Sequence, residues 1–438
     1  MLPEILTSIP GPRSLALAER LSRAECRNTT YCNADWPVFW ERAEGGNVWD
    51  ADGNRFLDLT SAFGVATLGH GATASAAAAQ AGRLVHAMGD VHPATSKVEL
   101  CERLAQQTFG RWTGQPGKCL LGNSGFEAVE AALKTAVLAT GRKRIVAFDG
   151  GYHGLGYGSL LGAGIPWFRE PFEHQLAAVT DRLPYPRHGD AASMQAFRNA
   201  LAKVDPSAIA AVLVEPYQGR GGIVVPPQGF LTELRAWCDS HGAVLVFDEI
   251  YTGFFRTGRW FACEHEAVVP DLICLGKALS GGFPISACVG RVDVMDAWPP
   301  THGEALHTST FLGNPVGCAM AIASLDTFAD GGFQQIIDEA TFAWDTALAR
   351  LAGLPRVLEI RGPGLMKGIE FREPDGKPAS EFVIAMVINL LKHGFIALPD
   401  APEGHVLALT PPVVLDGAAI DAAVDAIAGI VSASGQVA

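Results

Sequence analysis

The sequence predicts an α/β protein with a large domain, a mostly parallel mixed sheet covered by helices, and a smaller α+β domain. Three observations lead there. From about residue 95 onward, helical patterns alternate with short apolar runs: KCLLGNS, RIVAFDGGYHG, IAAVLVEP, AVLVFDEI and LICLGKA. Each run is strand-length and ends in small or polar residues, and strand-helix-strand repetition gives parallel strands buried on both faces. After Pro315 the pattern changes to a long apolar helix, GCAMAIASLDTFAD, followed by strand-like and helical pieces in mixed order. Finally, 438 residues exceed the usual size of a single domain.

Taken in order, GGNVWDADGNRFLDLTSAFG (45 to 64) alternates apolar residues around the turn signal Asp52-Gly53, which predicts a hairpin ahead of the main domain. FEAVEAALKTAVLATG and GFLTELRAWCDSHG read as amphipathic helices closed by Gly141 and Gly242, the residue type favoured just past a helix end. Beyond the apolar helix come the strand-like LMKGIEF, the helix EFVIAMVINLLKHG, HVLALTPPVVL and an alanine-rich helix. The expected division is residues 1–65 as an N-terminal segment of the small domain, 66–325 as the large domain and 326–438 as the small α+β domain. No internal repeat is present.

A hydrophobic content of 48% with 18% charged residues describes a globular protein that hides much of its surface. The net charge of -13, without any basic cluster, argues against nucleic acid as a partner. No run approaches the roughly 20 apolar residues that span a bilayer, so no membrane partner is expected. Nine cysteines without a CxxC pair, several inside apolar runs, suit a reducing cytoplasm. The start MLPEILTSIPGPRS lacks the features of a signal peptide, which points the same way.

In such sheets ligands bind outside the carboxyl ends of the strands, so the polar tails of the runs are where chemistry is to be sought. In GNSGFEAVEAALKTA, residues 122–125 end one run and open a helix, so N–H groups and the Ser124 hydroxyl face an anion or form a plain cap. GGYHG sets Tyr152 and His153 between glycines, as a stacking plate for a flat ligand or as ordinary loop residues. AVLVFDEIYTG places Asp248 and Glu249 at the end of a buried strand, where a carboxylate caps the next turn or holds a protonated ring nitrogen or a metal. No further cluster at metal-ligand spacing lies nearby, and the metal is discounted. DLICLGKALSGGFPISA ends another buried strand with Lys277, where desolvation makes an amine nucleophilic towards carbonyls. Together these supply a cradle for a phosphate, an aromatic plate, an acid for a ring nitrogen and an amine for an aldehyde: the outline of pyridoxal phosphate. VEPYQGRGGIVVPP (214 to 227) adds Arg220, set among glycines after a strand, as a solvated charge or a binding group.

The stretches GNSGFEAVEAALKTA, FDGGYHG, EPYQGRGG, DEIYTGFFRTGRWFACEHEAVVPDLICLGKALSGGFP and HTSTFLGNPVGCAMA resemble, in order, the motifs of class III aminotransferases, which are fold type I pyridoxal-phosphate enzymes. The likeness runs from NVWDADGNRFLDL to LALTPPVVL. It implies that Lys277 forms the internal aldimine and that Asp248 pairs with the pyridine nitrogen. Ser124, Gly125 and the amide of Phe126 would hold the phosphate, and Tyr152 would stack on the ring. His153 and Tyr251 join the implied cofactor-binding set. Thr310 matches a threonine that reaches the phosphate bound to a neighbouring subunit, which implies a homodimer and leaves a tetramer open.

Several positions depart from the pattern. Tyr251 stands where many members have a glutamine touching the ring hydroxyl. The branch acting on 4-aminobutyrate has an arginine after YHG, here Leu155, and another shortly before the PP pair, here Ala408. Where members carry a glutamate that pairs with the second arginine, this chain has Arg220. The implied exchange makes Arg220 the partner of a substrate carboxylate, or else of an acid of the protein, and Phe63 is a second candidate substrate contact. The activity implied is a ping-pong aldimine transamination from an amine or amino acid to an oxo acid such as pyruvate or 2-oxoglutarate. A class III racemase or epimerase is the alternative.

Overall fold

The turn signal Asp52-Gly53 closes the expected hairpin in the structure, a computed structural model that describes residues 1–434. Strand β1 (Trp40–Glu44) pairs antiparallel with β2 (Asn47–Asp50), and β2 with β3 (Arg55–Asp58), across a turn in which Gly53 has φ +88°. Directly after β3 the chain makes a left-handed turn: Ser61, Ala62 and Phe63 have φ of 48°, 49° and 63°. Each L-residue held there costs about 1–2 kcal/mol. The fully buried Asp58 offsets that strain, accepting from Thr60 N at 2.8 Å, Thr60 Oγ1 at 2.6 Å, Ala62 N at 2.9 Å and His70 Nε2 at 2.8 Å. Phe63 stands on this turn with its side chain exposed.

The apolar runs past residue 95 become five strands of a seven-stranded sheet, β4 (Lys118–Gly122), β5 (Arg144–Phe148), β7 (Ile209–Val214), β8 (Val244–Asp248) and β9 (Leu272–Leu275), joined by β6 (Thr180–Leu183) and β10 (Ser286–Gly290). The order is β4-β10-β9-β8-β7-β5-β6, with every pair from β9 to β6 parallel and β10 antiparallel to both its neighbours. The mostly parallel sheet is therefore as the runs predict. Strands β7, β8 and β9 are buried at every position. Strand β6 escaped the reading because it is an edge strand whose Thr180, Asp181 and Arg182 are only half buried, so it carries no apolar run. Strand β10, SACVG, is built of small residues and lies just beyond Gly281, Gly282 and Pro284, residue types that interrupt a strand pattern. Helices Gly125–Thr140 and Phe230–His241 end as expected at Gly141 and Gly242, with φ of 68° and 64°. The first packs Ala128, Val129, Ala132 and Ala136 into the core against the sheet.

By its internal contacts the chain divides into two compact units, Thr73–Gln334 and the combined segments Met1–Ala72 and Gln335 onward. In the second unit, β11 (Val357–Arg361), β12 (Lys367–Phe371), β14 (Leu398–Asp400) and β15 (Val406–Leu409) form an antiparallel sheet ordered β11-β12-β15-β14. The short β13 (Phe395–Ile396) instead pairs in parallel with β3, which joins the two segments of this unit in one sheet. Ala408 is buried in β15, opposite Gly368 and Leu398.

Removing the carboxylate that holds the left-handed turn leaves buried N–H groups unsatisfied. Asp58→Ala is expected to lower unfolding free energy by about 3 kcal/mol, read by chemical denaturation; an unchanged midpoint would contradict the role given to Asp58.

Candidate active site

The segments that follow β5 and β8 close on the first turn of helix Gly125–Thr140. At its start the Glu127 carboxylate reaches back to accept the N–H groups of Asn123 and, at 3.2 Å, Ser124. The Ser124 hydroxyl is then left buried without a hydrogen-bond partner, at the positive end of a 16-residue helix. Ile250, just past β8, is the hub: a Cβ at Gly125 would stand 2.9 Å from its Cδ1, and a Cβ at Gly276 would stand 3.4 Å from its Cγ2. These glycines let the helix start and the residue before Lys277 close on one side chain. The Tyr152 loop closes on the same helix, since a Cβ at Gly154 would stand 2.4 Å from that of Phe126. The Phe126 side chain itself points to an exposed surface.

Three carboxylates at the ends of buried strands are each fully engaged. Asp248, 4% exposed, accepts from His153 Nδ1 at 2.8 Å and from Ile250 N at 3.1 Å. Burial disfavours a charge on His153, but the hydrogen bond and charge of Asp248, helped by Glu215, raise its pKa above the ordinary value. Glu215, after β7, accepts from Tyr152 N at 2.8 Å and Gly219 N at 2.9 Å. Glu249 accepts from Thr252 Oγ1 and Ala262 N at 2.7 Å each and from Cys263 N at 2.8 Å, which folds the segment 249–263 back on itself. Burial pushes Glu249 up to about 7 against the lowering effect of those donors.

Lys277 follows β9 with φ +45°, a backbone state that costs a non-glycine residue on the order of 1–3 kcal/mol. Its Nζ lies 3.8 Å from the centroid of the Tyr251 ring. A Cβ at Gly219 would stand 2.2 Å from Tyr251 Cδ1, so the Arg220 turn packs directly on that ring. Half-buried Arg220 places its guanidinium carbon 5.9 Å from the centroid of the half-buried Tyr152 ring.

Ser124, Gly125, Phe126, Tyr152, His153, Asp248, Tyr251, Lys277 and Arg220 all belong to the large unit and to the segments just described. Phe63 belongs to the other unit. Thr310 is exposed and follows Ser309, whose Oγ accepts from Asn123 Nδ2 at 3.2 Å. Sequence reasoning gave no role to Glu215 or Tyr185. For Glu215 the signal was present: VLVEP ends a buried run in a carboxylate, as VLVFDE does.

Pyridoxal phosphate suits this chemistry, because a phosphate answers the orphaned Ser124 hydroxyl at a helix N-terminus, beside a buried acid and a strand-end amine. Fold and site together define a pyridoxal-phosphate enzyme of fold type I. The profile described as Aminotransferase class-III matches residues 30–431. An acetylornithine aminotransferase from Methanopyrus kandleri is 37% identical over 403 residues, covering 91% of this chain and 96% of that enzyme. A 4-aminobutyrate aminotransferase from Mycobacterium leprae is 34% identical over 429 residues, covering 94% of each. The crystal structure of the ornithine aminotransferase from Toxoplasma gondii ME49 superposes with a TM-score of 0.83 at 28% identity, covering 97% of this chain and 96% of that one. The chain belongs to the class III aminotransferases; it is a pyridoxal-phosphate-dependent transaminase, and the likeness does not favour the racemase alternative.

Two outcomes follow. Ser124→Ala is expected to weaken cofactor binding about ten- to a hundredfold by titration of the apoenzyme, without loss of apoenzyme thermal stability. A wild-type dissociation constant would remove Ser124 from the cradle. For Glu249, the folded pKa lies above the ordinary 4.5, so its contribution to stability is full below 4.5 and is lost as pH rises through about 7. Glu249→Gln, which cannot ionise, should therefore gain roughly 3 kcal/mol on wild type between pH 4.5 and 8. Parallel stability curves would contradict that titration.

Proposed function

We propose that this transaminase moves an amino group between a carboxylate-bearing amine or amino acid and an oxo acid, with Lys277 as the proton carrier and Asp248 as the partner of the ring nitrogen. The observation that carries the assignment is the buried Asp248 carboxylate, held by His153 and set one strand away from Lys277. Bound pyridoxal phosphate supplies an aldehyde for the incoming amine and a protonated ring that takes up the electron pair left when a carbon proton departs. Asp248 would pair with the protonated ring nitrogen, and the His153 hydrogen bond orients its carboxylate for that role. Lys277 Nζ would accept the proton that leaves the amine-bearing carbon and would carry it during the transfer. Ser124, Gly125 and the amide of Phe126 would hold the phosphate, Tyr152 would stack on the ring, and Tyr251 bears on the Lys277 amine.

Arg220 is the substrate's anion partner in this reading. A charge-assisted bond to a carboxylate contributes roughly 1.5–3 kcal/mol, enough to select among donors. Leu155 is exposed and Ala408 is a buried sheet residue, so neither position offers a cation. The relatives named above carry the names of carboxylate-bearing substrates, which supports the same class here.

The working form is a homodimer, as Thr310 in its exposed segment suggests. Leu84, Val85, Met88, Val91, Leu306 and Phe311 are exposed in two segments joined by the His86 ring 5.2 Å from that of Phe311 and by Asn314 Nδ2 donating to Val85 O at 3.1 Å. A second copy of the chain would cover this apolar surface. The nine free thiols suit the cytoplasm.

With L-alanine, wild-type holoenzyme is expected to shift its cofactor absorbance to the aminated form and release pyruvate; racemised alanine without pyruvate would sink the transfer reading. Lys277→Ala should lower the rate at least 10²–10⁴-fold. Arg220→Ala is expected to cost ten- to a hundredfold in kcat/KM for a carboxylate donor and little for a neutral amine; equal loss on both would remove Arg220 from substrate binding. Phe311→Asp should give monomers in sedimentation, and an intact dimer would place the interface elsewhere.

A further inference from the structure

The loop that carries Tyr152 and the turn that carries Arg220 are tied together by one side chain. Glu215, 6% exposed, accepts Tyr152 N–H on Oε1 at 2.8 Å and Gly219 N–H on Oε2 at 2.9 Å. Its own carbonyl is fixed as well: the Tyr185 hydroxyl lies 3.1 Å from Glu215 O and 2.9 Å from Pro216 O, donating to both. Gln218 adds a second tie, its Nε2 donating to Asp149 O at 2.7 Å, and it exchanges main-chain bonds with Val224 at 3.1 and 2.9 Å, which closes the turn 219–223. That turn is strained. Ile223 is fully buried with φ +52°, and a β-branched residue in the left-handed region is an outlier. Such a conformation persists only where its surroundings over-determine it, and outliers of this kind concentrate at binding sites.

We propose that Glu215 is a positioning residue for substrate selection: its carboxylate clamps the Tyr152 loop to the Arg220 turn, so that the guanidinium stays facing the aromatic ring where a substrate carboxylate is met. The proposal rests on the reading of Arg220 given above. The clamp needs both oxygens as acceptors. A carboxamide or a protonated carboxyl keeps one acceptor and turns a donor towards the other N–H. Burial raises the Glu215 carboxyl to about 7, with His153 lowering it, Asp248 raising it and the Gly219 and Tyr152 N–H groups lowering it. The titratable groups facing it are His153 beyond β5, Asp248 at the end of β8, Tyr152 in the loop, and Tyr185 beyond β6; Arg220 stands on the turn it anchors. Selection for a carboxylate is therefore lost as pH falls through about 7.

The test compares kcat/KM for two amino donors matched in length and amine pKa, one ending in a carboxylate and one in a neutral group. Ionisations common to both cancel in the ratio. In wild type the ratio falls several-fold from about pH 8 to about pH 6. In Glu215→Gln it lies about tenfold below wild type at pH 8, is flat with pH, and has lost KM rather than kcat. Calorimetric binding of succinate, which has no amine to react, weakens to the same extent. A wild-type ratio in Arg220→Ala overturns the Arg220 reading and this proposal with it. A collapsed ratio there, alongside a wild-type, pH-dependent ratio or undiminished succinate binding in Glu215→Gln, overturns the Glu215 proposal alone. If Glu215→Gln does not fold, Tyr185→Phe serves: it should lower the ratio and keep its pH dependence, and a wild-type ratio in that variant counts against the clamp.

Discussion

A carboxylate buried at the end of a strand must find donors for its oxygens, and that requirement organises this active site. Desolvating an unpaired carboxylate costs several kcal/mol, so each of the three strand-end acids draws a loop onto itself. Asp248 draws in His153, Glu215 draws in the main chain at Tyr152 and Gly219, and Glu249 draws in Thr252, Ala262 and Cys263. The loops that carry the chemistry are thus positioned by acids that the sheet has placed, and the helix dipole at Gly125–Thr140 supplies the opposite charge across from them.

Space is the second constraint. The loops reach one another only because glycines remove the atoms that would collide: Gly125 and Gly276 against Ile250, Gly154 against Phe126, and Gly219 against the Tyr251 ring. Where the approach demands an unfavourable backbone, the strain sits beside the chemistry, at Lys277 and Ile223. Strain there costs stability, and the hydrogen bonds of the neighbouring acids and main chain offset it. Rigidity in this site is therefore a joint product of missing side chains, strained residues and satisfied carboxylates.

The fold was largely legible because buried parallel strands cannot hide: IAAVLV, VLVFD and LICL are apolar at every position, and Gly141 and Gly242 mark helix ends by a backbone need that few other residues meet. What escaped was polar or small. Strand β6 leaves three of its four residues half-buried at an edge, and β10 is a run of small residues behind a glycine pair. The left-handed turn at Ser61, Ala62 and Phe63 left no trace either, since it is held by distant partners, Asp58 accepting from Ala62 N and Thr410 O accepting from the Ser61 hydroxyl. Within the site, strand-end residues such as Ser124, Asp248 and Lys277 could be picked out because their chemistry contrasts with the apolar run before them.

By itself, then, the sequence determined the layered sheet, the order of its chemistry-bearing segments and the kind of cofactor they suit, because apolar periodicity, helix punctuation and residue type are local properties of a chain. Only the tertiary structure decided which of those segments touch. That Glu215 joins the Tyr152 loop to the turn of Arg220, that Tyr251 lies beneath the Lys277 amine, and that Ser124 is left without a partner all depend on distances between residues far apart in the chain. Such contacts come from the packing of strands and helices against one another, and no single stretch of sequence encodes them.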